Sequence, residues 1–296
     1  MLRLAQVSDP HFQGLHHLTL RDCVGKRLLG AFNLLVRRRH KHSMALLRAL
    51  AADLSQRSFD HLVLTGDLCN IAVRSEWSAA LRWIEDLPLS ADGVTVIPGN
   101  HDAYVADVVR QGVFEQMFAA YQTAELRVGG HHYPFVRLRG ELALLCASSA
   151  VPTGDLGAWG RLGEAQLGRL EALLTAPEVV SRRRILLIHH PPLVNRPGED
   201  RNLRDREQLQ ALLARTGADL VLHGHDHRDF FKQLAGPRGS SIPVVGVGSA
   251  SYRGPVDRSA RYHIFAIDAG SVEVTTYAHD PARGAFVEWG RRQLCG

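Results

Sequence analysis

Cysteine is scarce in this chain, and the four present, Cys23, Cys69, Cys146 and Cys295, show neither C-x-x-C spacing nor a dense framework. That excludes a disulfide-stapled scaffold and reads as free thiols in a reducing cytoplasm. Long apolar runs are missing too. Arg, Lys, Asp or Gly interrupts each one before the ~18 residues that a bilayer span requires, which argues against an integral membrane protein. The opening residues reach Asp9 within one strand length, with no room for the charged, apolar and cleavage regions of a signal peptide. Internal repeats, low-complexity tracts and Pro/Gly/Ser-rich linkers are absent as well, so residues 1–296 are expected to form a single domain.

What the chain has is an ordinary globular composition, with 45% hydrophobic residues over 296 positions, enough for a substantial core. A formal charge of +5 and a pI near 9.3 favour anionic partners. Charge alone does not choose among phosphorylated metabolites, nucleic acids and acidic lipids. Sixteen histidines is a large number for this length. Many stand beside Asp, Gly or Pro in short clusters, which points to metal or acid–base chemistry.

Apolar runs alternate with helical patterns for most of the length. Strands are expected at 4–7, 61–64, 94–97, 185–188 and 220–222, and helices at 43–56, 76–87, 163–174 and 203–215. This is the rhythm of an α/β sheet. From Phe230 onward only strand-like segments follow, at 230–234, 243–247, 262–267, 272–277 and 285–289, which suggests two packed sheets. A homodimer through this β tail is admitted but not required.

One stretch breaks the rhythm, a helical basic insertion at about 12–42. Val24, Leu28, Leu29, Phe32, Leu35 and Val36 recur at helical spacing, and the basic run from Arg37 to His42 follows. The plainer reading is a helical cap over the site. The sharper one is a basic amphipathic helix, residues 18–42, in contact with a membrane surface or an acyl chain.

Five clusters fall at the ends of strand-like runs: Asp9-Pro10-His11, Gly66-Asp67, Gly99-Asn100-His101-Asp102, His189-His190-Pro191-Pro192 and Gly224-His225-Asp226-His227. Ligand sites of open α/β sheets gather outside the carboxyl ends of the strands, where such loops converge. Each cluster alone is weak, since an isolated D-x-H or Gly-Asp is commonly structural. Together they supply the carboxylate, imidazole and amide groups that a two-metal centre needs. A pair of divalent ions would outweigh the charge of Asp9 and Asp67, leaving a cationic site suited to phosphate.

The ordered series D-x-H, GD, GNHD, HHPP and GHDH resembles the calcineurin-like metallophosphoesterase superfamily, whose pattern runs D-x-H, GD, GNH(D/E), H and GH-x-H. The match spans Asp9 to His227 and lacks no core position. The resemblance implies a four-layer αββα sandwich of two mixed β-sheets flanked by helices. It further implies that Asp9, His11 and His227 hold one ion, that Asn100, His189 and His225 hold the other, and that Asp67 bridges them. His101 would sit beside the metals, contacting phosphate or protonating the leaving oxygen, with Asp102 either orienting it or capping the next helix. His190 would support a ligand or face the substrate, and His223 would be a packed strand-end histidine.

The expected chemistry is attack on phosphorus by a metal-bridging hydroxide, with Mn, Fe, Zn or Co as the metals. A small phosphorylated substrate is expected, and the resemblance is to the cyclic-nucleotide phosphodiesterase branch. The alternative is the pyrophosphate bond of a UDP-diacylglucosamine-type lipid, motivated by residues 18–42. A non-catalytic scaffold of the same fold is a third reading, against which the complete ligand set argues. Nucleic acid is disfavoured as a partner because the basic run lacks interleaved aromatics.

Overall fold

The computed structural model describes residues 1–14, 41–154, 157–194 and 199–295. The cap or lipid-binding helix expected between residues 18 and 42 therefore lies almost wholly outside the described residues, as does Cys23.

Thirteen strands and seven short helices are described. The strands are β1 (Leu2–Val7), β2 (His61–Leu64), β3 (Val94–Val96), β4 (Leu126–Arg127), β5 (Phe135–Arg139), β6 (Leu142–Cys146), β7 (Arg183–Leu187), β8 (Leu220–His223), β9 (Phe230–Ala235), β10 (Ser241–Gly246), β11 (Arg261–Ile267), β12 (Val272–Asp280) and β13 (Ala285–Cys295). The helices are α1 (Met44–Leu54), α2 (Arg74–Glu85), α3 (Ala106–Arg110), α4 (Val113–Met117), α5 (Glu164–Leu174), α6 (Pro177–Val180) and α7 (Arg206–Thr216). They build two mixed sheets, one ordered β13-β12-β11-β1-β2-β3 and the other β4-β5-β6-β7-β8-β10-β9.

Strand alternation sorts the core into layers. On β6, Leu142, Leu144 and Cys146 point between the two sheets while Ala143 and Leu145 point outward. On β2, Val63 points inward and Leu62 and Leu64 outward. A strand buried on both faces reads as a continuous apolar run, which is why these segments lack polar alternation. Leu47, Leu50 and Leu54 of α1 with Trp77, Trp83 and Ile84 of α2 cover the six-stranded sheet. Leu170, Leu173 and Leu174 of α5 with Leu209, Leu212 and Leu213 of α7 cover the other. The result is the αββα arrangement. Each fully buried Leu contributes roughly 1.5–3 kcal/mol, and Leu144→Ala, sealed between the sheets, would cost about 2–5 kcal/mol.

Every strand and helix expected from the rhythm forms, with ends shifted by a few residues. Six elements were not anticipated: β4, β5, β6, α3, α4 and α6. Strand β5 hides because Arg137 interrupts its apolar pattern, yet that side chain is fully buried. Its guanidinium donates to the carbonyls of Val94 and Tyr121 and to Thr95 Oγ1, and reaches Asp92. A buried arginine with all these acceptors is affordable only in tertiary context. Strand β6 is a five-residue apolar run that periodicity cannot tell from a buried helical segment.

Topology aims the loops. β1, β2 and β3 run parallel, and so do β6, β7, β8 and β10. Their carboxyl ends bring the loops after β1, β2, β3, β7 and β8 to one edge of the sandwich. There Gln6 Nε2 of one sheet donates to the His223 carbonyl of the other at 3.0 Å.

Candidate metal centre

The chain beyond β1 stays paired with the loop beyond β2: the Asp9, His11 and Phe12 amides donate to the carbonyls of Gly66, Asp67 and Leu68 at 3.0, 3.1 and 2.7 Å. This turns successive side chains inward at a backbone cost. Asp9, His11, Asp67, His225 and His227 all adopt positive φ, at 51°, 47°, 55°, 73° and 53°. For residues with a Cβ each such conformation costs about 1–2 kcal/mol. Among the described residues only Ala72 and Arg238 share it without being glycine, so the strain concentrates on the candidate ligands.

Close backbone approach is secured by glycine. A Cβ on Gly99 would collide with Asp67 Oδ1 and lie 2.8 Å from His189 Cε1, and one on Gly224 would collide with Ser8 Oγ and lie 2.5 Å from Asp9 Oδ2. Neither position admits a side chain without moving a candidate ligand.

Two groups of donor atoms result. In the first, His11 Nε2 lies 3.0 Å from His227 Nε2, which lies 3.1 Å from Asp9 Oδ1, and Asp67 Oδ2 is 3.9 Å from His11 Nε2. The donor atoms of these four residues all fall within 4.8 Å of one another. Two ligands about 2.1 Å from one ion are at most ~4.2 Å apart, so a small contraction suffices. In the second group, Asn100 Oδ1 stands 3.2 Å from His189 Nε2 and 3.0 Å from His225 Nδ1, with Asp67 Oδ1 3.4 Å from His189 Nε2. Asp67 thus offers one oxygen to each group.

Hydrogen bonds on the far side of each ring fix the tautomers. His11 donates its Nδ1–H to the Cys69 carbonyl at 3.1 Å, His189 its Nδ1–H to Thr65 O at 2.8 Å, and His225 its Nε2–H to Arg201 O at 2.8 Å. The inward nitrogens of His11 and His225 therefore carry lone pairs, as metal-bound histidines supported by carbonyls do. Asp9 Oδ1, fully buried, accepts no hydrogen bond. His225 Nδ1 and Asn100 Oδ1, two acceptors 3.0 Å apart, repel unless a cation lies between them. The residues therefore fit a pair of metal ions.

Protonation follows the same geometry. Burial, then His42, hold His11 neutral well below its usual range, and burial, then His190 and His189, do the same for His225. Burial would raise the Asp67 carboxyl, but His189 and His101 hold it well below the ordinary 3.8. Burial opposes a charge on His189, but Asp67 pushes it up to about 9.

His101 flanks both groups without joining either. Its amide donates to Asp67 Oδ1 at 2.8 Å and its Nδ1–H to the Asn70 carbonyl at 2.6 Å, and its ring stacks on Tyr104. Asn70, not Asp102, orients this imidazole. Asp102 instead accepts from the amides of Leu68, Cys69 and Gly99 at 3.1, 3.2 and 2.9 Å and from Trp77 Nε1 at 3.2 Å. It clamps the loop after β2 to the loop after β3. Nor does it cap a helix, because α3 starts at Ala106 after Val105. Neither role expected for Asp102 is met.

His190 is fully buried behind the site. Both ring nitrogens are engaged, Nδ1 with Ser149 Oγ at 2.7 Å and Nε2 with Ala158 O at 3.1 Å, and its ring packs 4.3 Å from that of His225. It supports His225 and has no atom left for a substrate. His223 is a packed strand-end histidine, its ring edge-on to Phe230.

One neighbour escaped the sequence reading. His42, counted there in the basic run, is buried, bonds Ser251 Oγ at 2.8 Å, and packs its ring 4.6 Å from that of His11. It groups with His11 and His227 as a potential ligand set. Nothing in its local sequence separates it from Arg39 or Lys41; the β-bridge from His42 to Tyr252 does.

Comparisons with known proteins bear on the family and the fold. A family model described as calcineurin-like phosphoesterase matches residues 2–229. A protein of Synechococcus sp. (strain WH7803) named a probable cyclic nucleotide phosphodiesterase is 28% identical over 262 residues, covering 84% of this chain and 82% of its own. A dimetal phosphatase from Danio rerio superposes with a TM-score of 0.64 at 13% identity, over 99% of this chain and 98% of that one. Purple acid phosphatase PPD1 from yellow lupin seeds gives 0.58 at 15% identity, over 97% of this chain and 52% of that one. At such identities the two structures speak for the fold alone. No described helix is long and apolar enough to cross a membrane.

Proposed function

The chain belongs to the calcineurin-like phosphoesterase family, and from that premise we propose that it is a two-metal phosphodiesterase acting on a cyclic nucleotide or similar small diester. Asp9, His11 and His227 would hold one ion, Asn100, His189 and His225 the other, with Asp67 between them. Imidazole, carboxylate and amide ligands suit Mn, Fe, Zn or Co. Once bound, such ions polarise phosphoryl oxygens and acidify water.

The observation that carries this reading is the convergence of the His11, His225 and His227 ring nitrogens with Asp9 Oδ1, Asp67 and Asn100 Oδ1 at 3.0–3.9 Å. The protein groups divide the remaining work. Asp67 sets the spacing of the two groups and accepts the His101 amide, which holds His101 at their edge. His101 keeps its Nδ1–H on Asn70, leaving Nε2 to deliver a proton to the departing oxygen. That general-acid step fits a partly exposed imidazole. The diester preference is supported by the single relative at 28% identity.

The test is turnover of cyclic AMP and bis(p-nitrophenyl) phosphate by purified protein loaded in turn with Mn, Fe, Zn and Co. Hydrolysis of the diesters well above that of p-nitrophenyl phosphate is expected. Inertness with all four metals would overturn the proposal and favour a scaffold role.

A further inference from the structure

The first group of donors has a further neighbour in His42. One of its ring nitrogens lies within 4.8 Å of the donor atoms of His11 and His227. The ring stands edge-on to both of theirs, with centroids 4.6 and 5.6 Å away, and those two rings are 5.0 Å apart. Although it ends the basic run, His42 is buried, with 5% of its surface exposed. Its backbone is fastened on both sides. The His42 carbonyl accepts from Gln13 Nε2 at 3.0 Å, the Ser43 amide donates to the Ser251 carbonyl at 2.9 Å, and the Arg253 amide donates to the Lys41 carbonyl at 2.6 Å.

A chain of hydroxyls sets the proton on this ring. The Ser249 hydroxyl donates to the Asp9 carbonyl at 2.7 Å, because a carbonyl can only accept. Its oxygen is then left to receive the Ser251 amide at 3.4 Å and the Ser251 hydroxyl at 3.5 Å. With its own hydrogen so directed, Ser251 Oγ accepts the Nδ1–H of His42 at 2.8 Å. The lone pair of the ring therefore stands on Nε2. His11 shows the same pattern, its Nδ1–H held by an oxygen and its Nε2 turned into the site, which is the arrangement that metal-bound histidines share.

We propose that His42 Nε2 is a further ligand of the ion held by Asp9, His11 and His227, and that it biases this position toward metals that favour imidazole. The inference rests on the two-metal reading and deepens it, because the two positions become unequal. One is served by three imidazoles with Asp9 and Asp67, the other by two imidazoles with Asn100 and Asp67. Imidazole suits Zn and Fe, whereas carboxylate, carbonyl and water suit Mn. The added imidazole is neutral, so it strengthens the hold on an ion without lowering the positive charge offered to phosphate.

The test is titration of chelator-treated full chain with Zn, Mn and Co, followed by calorimetry and, for Co, by visible absorption. Wild-type protein is expected to take up two ions. His42→Ala should weaken one Zn site about tenfold or more, weaken Mn less, and shift the Co bands. Added imidazole should return those bands toward the wild-type positions, while leaving the wild-type spectrum as it is. His42→Phe keeps a ring against His11 and His227 but offers no donor atom, and it should lose Zn as His42→Ala does.

A His42→Phe protein that binds both ions as tightly as wild type overturns the proposal, because the ring would then serve packing alone. Unchanged Co bands in His42→Ala overturn it too. A loss shared equally by both ions and not reversed by imidazole marks damage to the fold and counts against it in the same way, and an equal loss of Zn and Mn overturns the metal bias. If wild-type protein binds no ion, the two-metal reading fails and this inference with it. If two ions bind with the same affinity whatever stands at position 42, only this inference fails.

Discussion

His11 and His227, 216 residues apart in the chain, turn their Nε2 atoms toward each other at 3.0 Å. The Nδ1–H of His11 is committed to the Cys69 carbonyl, so the nitrogen facing His227 carries a lone pair. Asp9 Oδ1 completes the cluster 3.1 Å from His227. A cation would be shared by these three donors, and metal binding is therefore expected to stabilise the fold. Chelator-treated protein given Mn or Zn at about 100 times its dissociation constant gains roughly 2.7 kcal/mol, a rise in melting temperature of about 5 °C or more. Differential scanning fluorimetry checks it, and Asp67→Ala should abolish the rise.

His101→Ala should separate chemistry from metal binding. The imidazole belongs to none of the clustered His and Asp donor sets among the described residues, and its Nδ1–H is held by Asn70. Loss of a general acid is expected to lower kcat by about 10²- to 10⁴-fold, while metal content measured by elemental analysis stays at the wild-type stoichiometry. A variant that instead loses its metal would make His101 a ligand.

Strain at the site should be recoverable as stability. His227 holds φ at 53°, a conformation that glycine adopts freely. His227→Gly should raise the stability of the metal-free protein by about 1 kcal/mol, seen as a melting shift of roughly 2 °C, while weakening metal binding. Gly99→Ala should lower stability and weaken metal binding as well. Its methyl group would meet Asp67 and His189, and a loss of about 1–3 kcal/mol is expected.

Acid sensitivity should trace in part to His61. Burial, then Arg137 and Arg139, push its pKa from 6.5 down to about 3, and its Nε2 pairs with Thr95 Oγ1 at 2.8 Å. The unfolded chain takes up this proton near pH 6.5, the folded chain only near 3. Stability from His61 is thus fully present above pH 6.5 and is lost as the pH falls toward 3. Urea midpoints measured across this window should fall less steeply in His61→Gln, by about one proton in the linkage slope.

The sheet strands and longer helices were legible because their signals are local. Leu62, Val63 and Leu64 declare a strand buried on both faces, and Leu47, Leu50 and Leu54 declare a helix with one apolar stripe. The candidate ligands were legible for a related reason: each sits where an apolar run stops, and parallel strands place such stops at one edge. Strand β5 was not legible, since Arg137 looks like a solvent residue until the carbonyls of Val94 and Tyr121 are seen around it.

By itself, then, the sequence determined which residue types stand at which strand ends, and so the kind of chemistry the site can hold. Only the tertiary structure decided the partnerships. It turned Asp102 away from His101 to clamp two loops, gave His101 to Asn70, closed His190 off from substrate and drew His42 out of a basic run to lie against His11. The reason is physical. Periodicity reports how a side chain faces its own strand or helix, whereas the direction of a hydrogen bond across a loop depends on backbone dihedrals and on residues far away in the chain.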